Sequence, residues 1–144
     1  MSKTVLIVED EIFVALEIEQ IVEDTGFDAG AIAADREAAL AAAEHCDIAL
    51  VDLNLRDGPT GPKIGMELAT RFGIRVIYVT ANPAQIGEAS VAALGVITKP
   101  FRAHSISAAL QLAAAENPEI QAAEIAGFTP FLPPGSWNGA ESRG

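Results

Sequence analysis

Glu9-Asp10-Glu11, Asp52, Thr80 and Lys99 are the residues whose chemistry demands a reason. Each stands at the end of a short apolar run: Val5–Val8, Ile48–Val51, Arg75–Val79 and Val96–Thr98. Crowded carboxylates repel one another, and a hard divalent cation relieves the repulsion. Mg²⁺ suits such a place, since it takes one or two carboxylates and fills its octahedron with water or phosphate oxygens. A carboxylate can also act as a nucleophile and carry a phosphoryl group. The resulting acyl phosphate needs its charge neutralised, which a metal ion and one ammonium group supply. A hydroxyl can donate to a further phosphoryl oxygen. All the parts are present: Asp10 with Asp52 for the metal, Asp52 as nucleophile, Lys99 for charge and Thr80 for the hydroxyl.

These residues work together only if the elements before them end at one edge. The apolar runs are short and β-branched, which predicts buried strands. Between them lie helical patterns. Ile12–Val22 places Phe13, Leu16 and Ile21 near one face, and Gly26 stops it. Asp35 is the expected N-cap of an Ala-rich helix running to about Glu44. Pro62 fits the first turn of a helix running to about Phe72. Asn82-Pro83 opens a weakly patterned helix that Gly95 is expected to close, and a last helix covers roughly Ser105–Ala115. A weaker strand spans Phe27–Ala33. Strand and helix thus alternate five times. Strands buried on both faces imply an α/β fold with a parallel sheet covered on both sides. The natural solution at this length is flavodoxin-like, a doubly wound (βα)5 arrangement with five parallel strands in three layers. Ligands bind such sheets beyond the carboxyl ends of the strands, where the four polar tips fall.

Composition narrows the classes. The formal net charge is −11, which argues against a nucleic-acid surface, since that needs clustered Lys and Arg. No apolar run is long enough to cross a bilayer, and Val5–Val8 is too short for a signal-peptide core, so a soluble, cytoplasmic protein is expected. The single cysteine, Cys46, fits a reducing compartment and reads as a packed residue at a helix end. His45 and His104 lie away from the strand tips and lack partners at ligand spacing. Singly, Asp52 could cap a turn and Glu9 and Asp10 could face a helix dipole. Four matching tips together favour the chemical reading.

At this point the sequence resembles a known family. VLIVEDE, LVDLNL, YVTA and TKPF, in this order and each after a strand, are similar to the receiver domains of two-component response regulators. Each motif alone is weak, whereas the ordered set is specific. The resemblance covers about residues 3–116; the receiver domain is assigned to 1–117, with a Pro- and aromatic-rich extension at 118–144. It implies that Asp52 is the phosphoacceptor and that Asp10 binds Mg²⁺ directly. Glu9 would act through water, and the Asn54 backbone carbonyl would complete the protein ligands. Thr80 and Lys99 would hold phosphoryl oxygens, with the Lys99–Pro100 peptide cis. The donor would be a histidine kinase or a histidine phosphotransfer protein. The protein would be a switch rather than an enzyme, acting through a downstream protein partner, with a homodimer among the expected associations and neither nucleic acid nor membrane insertion involved.

Two departures stand out. Val96 occupies a strand position that is usually Tyr or Phe in the family, although Tyr78 shares the face of Thr80. The loop NLRDGPTGP after Asp52 is long, and resembles that of alphaproteobacterial general-stress receivers. No DNA-binding pattern follows, so output is expected through protein contact, with the extension covering part of the surface of the last two helices. Two alternatives stay open: a phosphorylation-independent adaptor, and an aspartyl-phosphate phosphohydrolase. The second lacks an acid two residues beyond Asp52, where Asn54 stands.

Overall fold

A computed structural model describes residues 3–115 and 126–131. The elements are β1 (Thr4–Val8), α1 (Ile12–Asp24), β2 (Asp28–Ala33), α2 (Arg36–Ala42) with a 3-10 turn Ala43–His45, β3 (Ile48–Val51) and α3 (Gly61–Phe72). Then follow β4 (Arg75–Thr80), a 3-10 segment Pro83–Ala92, β5 (Ala93–Thr98), α4 (Ala103–Ala114) and β6 (Phe128–Pro130). The sheet order is β2-β1-β3-β4-β5-β6. The first five strands are parallel, as expected for the flavodoxin-like order, and β6 runs antiparallel to β5.

Alternation along each strand sends successive side chains to opposite layers. Val5, Ile7, Leu50, Ile77, Val79 and Ile97 pack against Ile18 and Val22 of α1 and Ile106 and Leu110 of α4. Leu6, Val8, Val51, Tyr78 and Val96 pack against Ala39, Ile64, Leu68 and Ile86 on the other face. Both faces of the central strands are therefore core, which is why these runs are continuously apolar. Asp35 caps α2 by accepting from the Ala38 N–H at 2.9 Å.

Four expectations need correction. On α1 the buried face is Ala15, Ile18, Ile21 and Val22; Phe13 is 84 % exposed and Leu16 is exposed as well. The fourth helical segment is not one helix: Gly87 breaks it at φ 57° and ψ −133°, a conformation open to glycine alone. Gly95 does not close that segment but lies inside β5. The sheet has six strands rather than five, because the C-terminal extension contributes β6.

Strand β6 is fitted closely. Phe128 is buried in the α1/α4 layer, Phe131 packs on Tyr78 with ring centroids 6.3 Å apart, and Ser105 Oγ of α4 donates to the Ala126 carbonyl at 2.8 Å. The Phe131 N–H donates to Leu94, so by alternation Pro130 turns its missing N–H away from β5, to the outer edge of the sheet among the described residues. A proline there blunts further strand addition. Pro133, Pro134 and Trp137 lie outside the described residues.

Candidate functional site

The sheet ladder runs one residue past the strands where the polar tips stand. The Glu9 N–H donates to the Ala33 carbonyl at 2.9 Å, Asp52 to Val8 at 2.9 Å, and Lys99 to Thr80 at 2.8 Å. Three tip residues are thus held by backbone bonds before any side-chain contact forms. The Lys99–Pro100 peptide is cis.

The side chains converge. Lys99 Nζ donates to Glu9 Oε1 at 2.8 Å and to Asp52 Oδ2 at 3.0 Å. Asp52 Oδ1 accepts the Leu53 N–H at 2.7 Å, and Glu9 Oε2 accepts the Glu11 N–H at 3.1 Å. Thr80 Oγ1 accepts the Asn82 N–H at 3.0 Å, which leaves the hydroxyl proton free to point elsewhere. Asp10, Asp52, Asn54, Thr80 and Lys99 line a cavity of about 350 Å³. Glu9 is buried, whereas Asp10 is exposed at the rim. One carboxylate oxygen each from Glu9, Asp10 and Asp52 lies within 4.8 Å of the others.

The electrostatics follow from burial. Desolvation pushes the Glu9 carboxyl above the ordinary carboxylate range, although the Lys99 hydrogen bond opposes it. Burial also pulls the Lys99 ammonium down, but its bonds to Glu9 and Asp52 more than reverse this and hold it above the usual lysine value. Lys99 therefore stays charged, and Glu9 is the strained member of the pair.

The structure brings together five of the residues singled out: Glu9, Asp10, Asp52, Thr80 and Lys99. Asn54 lines the same cavity, and its side chain exchanges two amide hydrogen bonds with Gln85, both 3.0 Å long. His45 and His104 are exposed. Sequence reasoning missed Gln85, which stands in the weakly patterned stretch after Asn82-Pro83. It also missed what holds the long loop. Arg56 pairs with Asp35, and Asp57 takes the Arg36 N–H at 3.1 Å and the Thr60 hydroxyl at 2.7 Å. The loop is thereby pinned to the start of α2.

A family model described as the response regulator receiver domain matches residues 5–111. The chain belongs to that family. It is 32 % identical over 118 residues to the phyllosphere-induced regulator PhyR of Methylorubrum extorquens, covering 78 % of this chain and 44 % of that one. The chain thus spans less than half the length of the curated relative it matches. Among solved structures it resembles the receiver domain of Erythrobacter litoralis PhyR at 30 % identity and a TM-score of 0.71, covering 78 % of this chain and 89 % of that one. It also resembles the PhyR of Bartonella quintana, described as an anti-anti-sigma factor, at 28 % identity and a TM-score of 0.68, covering 78 % and 47 %. This receiver domain is of the PhyR type, in keeping with the resemblance of its long loop. No helix among the described residues is long and apolar enough to cross a membrane.

Proposed function

We propose that this receiver takes a phosphoryl group onto Asp52 from the phosphohistidine of a kinase or phosphotransfer protein. The single observation that carries this is the bond from Lys99 to Asp52 inside a cavity shared with Asp10 and Thr80. An Asp52 carboxylate oxygen forms the new bond to phosphorus, the phosphorus–nitrogen bond breaks, and the imidazole departs with that electron pair. Lys99 and Thr80 stand ready to hold the phosphoryl oxygens.

The donor set fits a hard divalent cation. All three groups are carboxylates, their oxygens lie within 4.8 Å, and Asp10 faces water. In this reading Asp10 and Asp52 would hold Mg²⁺ directly, Glu9 through water and Asn54 through its carbonyl. When bound, Mg²⁺ would neutralise charge on the phosphoryl oxygens.

The surroundings suit a protein donor. Ile12, Phe13 and Leu16 are exposed on α1, beside an apolar recess of about 450 Å³ that includes Val14, Pro100 and Phe101. Exposed apolar groups clustered beside a reactive site mark an interaction surface. By likeness to the Bartonella relative, the phosphorylated form would act by contacting a protein partner. Residues 1–117 serve as the receiver unit, and 118–144 as an extension seated on it through β6.

The test is labelling of the full chain with acetyl phosphate and Mg²⁺, read by intact mass and a phosphate-affinity gel. Wild type gains one phosphoryl group that base and hydroxylamine remove, as an acyl phosphate requires. Asp52→Ala and chelation of Mg²⁺ each abolish it. Equal labelling in Asp52→Ala would overturn the assignment.

A further inference from the structure

We propose that Gln85 is a positioning residue that steadies one rim of the Asp52 cavity by clasping Asn54. The proposal rests on the phosphoacceptor reading and adds a control on how long the group survives.

The geometry has two sides. On one side, Asn54 is flanked by Leu53 and Leu55, both buried, so its backbone is fixed and its side chain is turned outward. Its loop is pinned to α2 at Arg56 and Asp57. On the other side, Gln85 rides on the single turn Pro83–Ile86, between Thr80–Asn82 and the break at Gly87. Ile86 anchors that turn in the core, and the Gln85 N–H bonds to the Asn82 carbonyl at 3.0 Å. Asn82 in turn donates to the Thr80 hydroxyl. The paired amides therefore bridge the loop after β3 to the turn after β4.

A reciprocal amide pair satisfies one donor and one acceptor on each side. It holds the Asn54 amide on Gln85 and steadies the Asn82 N–H on Thr80. Opening it frees the Asn54 amide at the cavity rim and loosens the Asn82–Thr80 contact. An acyl phosphate on Asp52 would then hydrolyse sooner.

The experiment is a double-mutant cycle in the full chain. Label is loaded with acetyl phosphate and Mg²⁺, the donor is removed, and decay at Asp52 is followed alongside the melting temperature. Gln85→Ala should load fully, melt as wild type does, and lose its label about two- to tenfold faster, the range of one exposed hydrogen-bonded pair. Asn54→Ala combined with Gln85→Ala should add nothing further. The exchange Asn54→Gln with Gln85→Asn keeps one amide on each side and should restore the lifetime. An unchanged lifetime in Gln85→Ala, or additive effects in the double variant, overturns the clasp alone. A wild-type chain that never labels overturns the phosphoacceptor reading and the clasp together.

Discussion

The substitution Gly95→Ala should change sign with the presence of β6. A Cβ at Gly95 would lie 2.5 Å from the Thr129 carbonyl oxygen and 2.6 Å from Phe128 Cε1. The carbonyl belongs to the β6 backbone, so it cannot retreat without breaking the strand pairing. Seating β6 buries Phe128, a gain of roughly 1.5–3 kcal/mol, and forms ladder bonds of about 0.5–1.5 kcal/mol each. Against this stands the ordering of three strand residues, about 1–2 kcal/mol each. The two sides nearly cancel, so the seat is worth no more than about 2 kcal/mol net. Gly95→Ala in the full chain should therefore lower the unfolding free energy by up to about 2 kcal/mol. In a chain ending at residue 115 the three atoms nearest the new methyl group are gone. There, replacing a strand glycine should stabilise by roughly 0.5–1 kcal/mol. Urea denaturation of the four proteins gives both numbers. Equal effects at the two lengths would refute the close fit of β6 on β5.

Two further outcomes follow from Tyr78. Gly65→Ala should destabilise by about 1–3 kcal/mol in urea denaturation, because its methyl group would lie 2.7 Å from two carbons of a ring whose hydroxyl already sits 3.3 Å from the carbonyls of Pro62 and Ala89. Burial also pushes the Tyr78 phenol above its ordinary value, so the folded chain holds this proton more tightly than the unfolded one. Its contribution is complete below about pH 10 and is lost as the pH rises further; since Tyr78 is the only tyrosine, phenolate absorbance should appear only as circular dichroism reports unfolding.

The site was legible because its signal is local. An apolar run ending in a carboxylate, a hydroxyl or a lysine names both the strand and the residue presented at its tip. The helix faces were less legible. Around α1 nearly every position from Ile12 to Leu16 is apolar, so spacing alone does not choose between Phe13 and Ala15. Packing chose the small residue, which lets α1 lie close to the sheet. Gly95 looked like a helix stop because glycine marks stops and close approaches alike; the approaching atoms come from Phe128 and Thr129, more than thirty positions away. Strand β6 has three residues, one of them proline, and no periodicity can reveal so short a segment. The Asn54–Gln85 pair joins exposed amides 31 positions apart, a contact created by the crossover and not by any local pattern.

The Lys99–Glu9–Asp52 cluster is better understood as readiness for a ligand than as a device for stability. Buried ion pairs recover their desolvation penalty only when the geometry is favourable and the remaining polar atoms are satisfied. Here desolvation raises the Glu9 carboxyl above its ordinary value despite its bond to Lys99, so burying the cluster carries an electrostatic cost. The formal charges of Glu9, Asp10 and Asp52 are three negatives against the one positive of Lys99, a deficit equal to one divalent cation. A monovalent ion would leave the pocket negative, and an arriving phosphoryl group would add more negative charge beside it. Repulsion of that kind falls steeply in cost only when the compensating charge is within a few ångströms. On the proposed reading, that charge deficit would make the divalent ion a condition for labelling Asp52 and not merely an aid to it. Such a requirement would come from the carboxylates in the pocket, whatever donor presents the phosphoryl group.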